Sequence, residues 1–107
     1  MSSLFIGGSW RDAADGATRE IRCPADGTHV TTVAEATADD AHAAIAAART
    51  AFDEGPWPHL SEHERAATLT AVAELLARDK ADYARAESLD TGKRFVESEY
   101  DIDDVIK

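Results

Sequence analysis

The sequence holds little that could staple or anchor a chain. It has one cysteine, Cys23, among 107 residues, which excludes an internal disulfide and a cysteine-based zinc centre. Positive charge is scarce: 11 Lys and Arg stand against 21 Asp and Glu, for a net charge of −10. Binding to nucleic acid or to an anionic membrane needs a basic face that neutralises phosphate, so neither is an expected partner. The acid excess reads as a solubilising surface. Long apolar runs are missing as well. None could span a bilayer, and the opening MSSLFIGGSW has neither the basic start nor the apolar core of a secretory signal. The expected compartment is a reducing cytoplasm. Large apolar side chains are also few. Hydrophobic residues make up 44% of the chain, but 22 of them are alanine, which leaves 24 large ones. So small a chain builds a thin core, and some further surface is expected to cover what it leaves open.

What is present divides by texture near Ala36. Residues 1–36 carry β-type segments punctuated by Gly, Asp and Pro. Leu4-Phe5-Ile6, Gly7-Gly8 and Ser9-Trp10-Arg11 spell a tight hairpin, since glycine tolerates the positive φ of such turns. Asp15-Gly16 marks another turn. Thr18–Arg22 and His29–Ala34 are expected strands, with Pro24-Ala25-Asp26-Gly27 turning between them.

Residues 37–107 change to a helical period. Thr37 before Asp39 and Asp40 is an N-cap followed by acid in the first turn. Ala41, Ile45, Ala48 and Phe52 recur on one face. Ser61 with Glu64 three residues later forms a capping box. The helix it opens runs, with a bend near Asp79, to Leu89, and Gly92 sits where a left-handed C-cap glycine belongs. Phe95, Ile102, Val105 and Ile106 mark a further helix whose outer face carries Glu97, Asp101 and Asp104. The expectation is two to three helices. No Gly, Asn or Pro follows Ile106, so the last helix has no stop signal and reads as continuing into a longer chain.

Three motifs invite chemistry and fail on their context. Thr91-Gly92-Lys93 lacks the glycine five positions before the Gly-Lys pair of a phosphate loop; that position is Glu87, and Arg94 stands where Ser or Thr should follow. His59-Leu60-Ser61-Glu62-His63 matches a zinc-helix spacing. Ser61 reads as the helix cap, which puts His59 outside the helix, and a zinc site needs its ligands on one face. Cys23 is followed by Pro24 at a strand end, which suits a buried small residue better than an activated thiolate. No carboxylate stands alone in apolar sequence as a tuned base would. From the residues alone no active site is complete.

The ordered set of segments is nevertheless distinctive. Phe5-Ile6-Gly7-Gly8-Ser9-Trp10, Pro24-Ala25-Asp26-Gly27, Val33-Ala34-Glu35-Ala36, Ala44–Phe52, Trp57, Glu64-Arg65 and Leu89-Asp90-Thr91-Gly92-Lys93 together resemble the N-terminal region of the aldehyde dehydrogenase superfamily. The likeness runs from Leu4 to Lys107. Glu87–Lys93 and Ala25-Asp26-Gly27 are most similar to its betaine-aldehyde and amino-aldehyde branch. Cys23 departs from the pattern, taking the place of the asparagine usual before the proline turn, and does not match the catalytic cysteine.

The resemblance implies an α/β parent enzyme. This segment would be the N-terminal part of the cofactor-binding domain, with β-hairpins over 1–36 and helices over 37–107. It implies NAD- or NADP-dependent oxidation of a small aldehyde, betaine aldehyde or an amino aldehyde, to its acid by a homo-oligomer. The thiolate nucleophile, the water-activating glutamate and the oxyanion donors would all lie beyond these residues, so no catalytic or cofactor-binding residue is assigned and the chain alone is expected to be inactive. One site carries over. Many relatives bind a monovalent cation, K⁺ or Na⁺, and the matching positions here are the carbonyls of Ile21 and Arg22 and the carboxylate of Asp90. Oxygen donors suit a hard cation. Asp90 could equally pair with Lys93 or Arg94. A rival from another class is a free-standing truncated interaction module without catalysis, docking through an exposed stripe of Ile102, Val105 and Ile106.

Overall fold

The computed structural model describes residues 3–107. Strands β1 (Leu4–Ile6), β2 (Ser9–Arg11), β3 (Thr18–Arg22) and β4 (His29–Ala34) precede helices α1 (Ala38–Glu54), α2 (Glu62–Arg78), α3 (Lys80–Thr91) and α4 (Phe95–Ile106), with a short 3-10 helix at Trp57–His59. The strands form two separate two-stranded sheets, β1 with β2 and β3 with β4. In the first, Ile6 faces Ser9 and Phe5 faces Trp10 in antiparallel register. Gly7 and Gly8 both have positive φ, 60° and 82°. A two-residue type I′ connection requires this, because its twist matches that of the strands. The Phe5 and Trp10 rings then pair with centroids 4.9 Å apart.

Each helix start is explained by its own residues. The Thr37 hydroxyl accepts from the Asp40 amide at 3.2 Å while the Asp40 carboxylate accepts from the Thr37 amide at 2.9 Å. Ser61 and Glu64 repeat that reciprocal arrangement at the head of α2. The expected bend at Asp79 is a full break. The Asp79 amide closes α2 on Leu75 O at 3.0 Å, and its carbonyl accepts from Tyr83 N at 3.2 Å to open α3. Among the described residues there are therefore four α-helices, where two to three were expected. Gly92 ends α3 at φ +74°, the left-handed cap that satisfies a terminal carbonyl.

The described residues fall into two compact units. One takes in the chain up to Ile21 together with Thr31–Leu60; the other takes in Arg22–Val30 and Ser61–Lys107. In the first, β1 and α1 pack together beside the 3-10 helix, and Ala13 and Asp40 are buried. In the second, α3 packs on α4 and α4 on α2, with Ala84, Ser98 and Cys23 buried. Among the described residues no large apolar side chain is fully buried. Ile45 and Phe52, on the apolar face of α1 that their spacing marked, are 66% and 65% exposed. On α4, Val105 is exposed, while Ile102 and Ile106 are half-buried, so the stripe is only partly open. Covering any one of these side chains is worth roughly 1.5–3 kcal/mol. The expectation of a thin core needing further surface therefore matches the exposure seen.

Candidate cation site

The second unit brings the end of α3 against the turn that follows β3. A side-chain carbon built on Gly92 would lie 3.0 Å from Pro24 Cγ and 3.1 Å from the Ala25 amide nitrogen. Glycine suits the position, since a side chain would be strained by the positive φ and would crowd the turn. The turn is internally braced. The Cys23 amide donates to Thr28 O at 2.9 Å, and the Gly27 amide to Cys23 O at 2.8 Å. Asp26 accepts from the Thr28 amide at 3.0 Å and from its hydroxyl at 2.7 Å. These bonds, the Thr28 amide first, hold the Asp26 carboxyl below its ordinary range. The Arg22 guanidinium donates across the turn to Gly27 O at 3.1 Å. Cys23 is buried, as expected of a small residue there.

The helix end is braced too. The Ser88 hydroxyl donates to Lys93 O at 2.8 Å and the Thr91 hydroxyl to Glu87 O at 2.7 Å. The Lys93 ammonium donates to Asp101 and, at 2.8 Å, to Glu87. The two carboxylates, Asp101 foremost, raise its pKa above the ordinary lysine value. Arg94 is tied to Glu97. Both cations that could have neutralised Asp90 are thus engaged elsewhere. The Asp90 carboxylate is exposed and has no hydrogen bond or ion pair among the described residues. It stands at the carbonyl end of a helix, where the partial charge is negative and a cation is favoured.

Of the three positions expected to hold a cation, Ile21 is half-buried near the end of β3, Arg22 is the exposed last residue of β3 and Asp90 is the penultimate residue of α3. Arg22 and Asp90 share the second unit, each two residues from the Pro24–Gly92 contact. The donor set, two carbonyls and a carboxylate, is all oxygen and suits a hard monovalent cation. The zinc-like spacing is not realised as a site: His59 ends the 3-10 helix whereas His63 lies in the first turn of α2. No group of three or more His, Cys, Asp or Glu side chains able to hold a metal occurs among the described residues.

Sequence reasoning saw one centre only as a helix cap. Asp40 is 1% exposed. Its two oxygens accept from Arg11 at 2.9 Å, from the Ala14 amide at 3.0 Å, and from the Thr37 amide and hydroxyl at 2.9 Å each. Those donors, the Ala14 and Thr37 amides before the guanidinium, hold its carboxyl far below the aspartate range. The Thr-x-x-Asp spacing signalled the cap. Nothing local signalled Arg11, 29 residues away.

The chain is similar to known proteins along nearly its whole length. The family model described as "Aldehyde dehydrogenase family" matches residues 10–107. The betaine aldehyde dehydrogenase of Bacillus subtilis is 46% identical over 103 residues, which is 96% of this chain and 21% of that protein. The aminoacetaldehyde dehydrogenase of Pseudomonas aeruginosa is 41% identical over 96 residues, 90% of this chain and 19% of that one. Among solved structures, a betaine aldehyde dehydrogenase from Staphylococcus aureus in complex with NAD⁺ superposes with a TM-score of 0.94 at 37% identity, over 99% of this chain and 21% of that chain. The chain spans about a fifth of the length of these relatives. A model match over residues 10–107 together with that superposition settles the classification: the chain belongs to the aldehyde dehydrogenase family.

Proposed function

We propose that this chain is the N-terminal part of a cytoplasmic, homo-oligomeric NAD- or NADP-dependent aldehyde dehydrogenase. Its substrate is a small aldehyde, betaine aldehyde or an amino aldehyde, which the complete protein oxidises to the acid. The observation that carries this reading is the 46% identity to a betaine aldehyde dehydrogenase across nearly the whole chain. The NAD⁺ complex among the similar structures supports the nicotinamide cofactor, which supplies the hydride acceptor. None of the residues here is assigned to that step. Their part is to form the outer strands and first helices of the cofactor-binding domain and to hold a monovalent cation, K⁺ or Na⁺, on the carbonyls of Ile21 and Arg22 and the carboxylate of Asp90. Bound there, the cation supplies positive charge to a carboxylate that lacks a side-chain partner and to the carbonyl end of α3.

The test is formation of reduced nicotinamide from betaine aldehyde by the complete protein carrying this sequence. Turnover is expected with NAD or NADP and is not expected from residues 1–107 alone. A complete protein inert toward betaine aldehyde and amino aldehydes contradicts the substrate reading; turnover by the short chain contradicts the division of labour.

A further inference from the structure

The contact between Gly92 and the Pro24-Ala25 turn does more than end a helix. The turn is closed on itself by the Cys23–Thr28, Gly27–Cys23 and Asp26–Thr28 bonds. The helix end is closed on itself by Ser88, Thr91 and Lys93. The two braced segments meet where a side-chain carbon would stand 3.0 Å from Pro24 Cγ, 3.1 Å from Ala25 N and 3.4 Å from Ala25 Cβ. At those distances the turn or the helix end must give by a few tenths of an ångström, and because each is braced internally the added volume acts to move one away from the other. Arg22 precedes that turn by two residues, and Asp90 precedes that glycine by two. Separation at the contact therefore changes the spacing between the Arg22 carbonyl and the Asp90 carboxylate.

We infer that Gly92 is a positioning residue for the monovalent cation: it touches no ligand atom, but it sets the distance at which the turn and the α3 end present their oxygens. This rests on the cation reading above and adds a residue to it. Groups behind metal ligands shift metal affinity by about 10- to 100-fold when altered.

The experiment is a thermal-melt titration of the complete protein with KCl and with NaCl, against choline chloride at equal ionic strength. The half-saturating cation concentration follows from the linkage of binding to melting. Gly92→Asn isolates the contact, because asparagine tolerates the left-handed conformation while keeping the offending carbon. It is expected to raise the half-saturating concentration about tenfold or more. Pro24→Ala removes the abutting ring and is expected to raise it severalfold. The double variant is expected to be non-additive, since both changes act through one contact. A cation-responsive wild type whose half-saturation is unmoved by Gly92→Asn, or a strictly additive double variant, overturns the role of Gly92 and leaves the cation reading standing. A wild type with no K⁺- or Na⁺-specific response overturns the cation reading itself. Where Gly92→Asn does not fold, Pro24→Ala decides alone: an unchanged half-saturation overturns the inference.

Discussion

Asp40 and Asp90 are both carboxylates at helix ends, and their surroundings are opposite. Asp40 lies at the head of α1, 1% exposed, with donors from Arg11, Ala14 and Thr37 around it. The helix dipole there favours its charge. Asp90 lies at the tail of α3, exposed, where the dipole disfavours a negative charge and the nearby Lys93 and Arg94 are bound to other acids. A carboxylate saturated by the protein is structural. A carboxylate kept in an unfavourable field without a partner is available for something outside the protein. The proposed cation role of Asp90 rests on that contrast more than on the residue type.

The contrast can be broken at five points. The largest effect is expected from Asp40→Asn, which removes the charge from the Arg11, Ala14 and Thr37 donors. It should lower the melting temperature more than any other single change considered, with the cation response of the remaining folded protein intact. A melt equal to wild type would show that the cluster does not hold the first unit together. Acid should act on the same group. The folded-state pKa of Asp40 is depressed, so its stabilising contribution is full above the unfolded value of 3.8 and is lost as pH falls below that value. A melt series at falling pH should show a loss that Asp40→Asn no longer shows.

Gly92→Ala comes next. Its left-handed backbone costs about 1–2 kcal/mol for a residue with a side chain, before the Pro24 contact is counted. Chemical denaturation should read a loss at least that large. Ser61→Ala should cost about 1 kcal/mol by opening the α2 capping box, again measured by denaturation. Asp90→Asn should be smallest, within about 0.5 kcal/mol in cation-free buffer, because no bond inside the protein is broken. In KCl it should lose the specific stabilisation the wild type gains. A large loss without cation would place Asp90 in the scaffold beside Asp40.

Much of the fold was legible because its signals are local. Gly7-Gly8 specifies its hairpin through backbone sign alone, Ser61 and Glu64 specify a helix start within four residues, and Gly92 specifies a stop. The strand bounds Thr18–Arg22 and His29–Ala34 followed from β-type residues flanking a Pro-Asp-Gly turn. What was not legible is long-range. Arg11 and Ala14 reach Asp40 across 29 and 26 residues, and no periodicity encodes such a meeting. The Asp79 break was visible only as a bend, since Asp costs a helix at most about 0.7 kcal/mol, far less than the roughly 3 kcal/mol of a Pro that would mark a stop. Ile45 and Phe52 formed a correct apolar face, but periodicity cannot say whether the surface that covers such a face lies within these residues. For the candidate site, Asp90 and the β3 end were legible only through the family resemblance. The engagement of Lys93 with Glu87 and Asp101, which leaves Asp90 without a side-chain partner among the described residues, required the structure.

The most direct test of the central claim is an anomalous-scattering map of the complete protein crystallised with Rb⁺ in place of K⁺. The account predicts a peak bonded to the Asp90 carboxylate and the Arg22 main-chain carbonyl. A map with no peak there, and with Asp90 paired instead to a lysine or arginine, would contradict it.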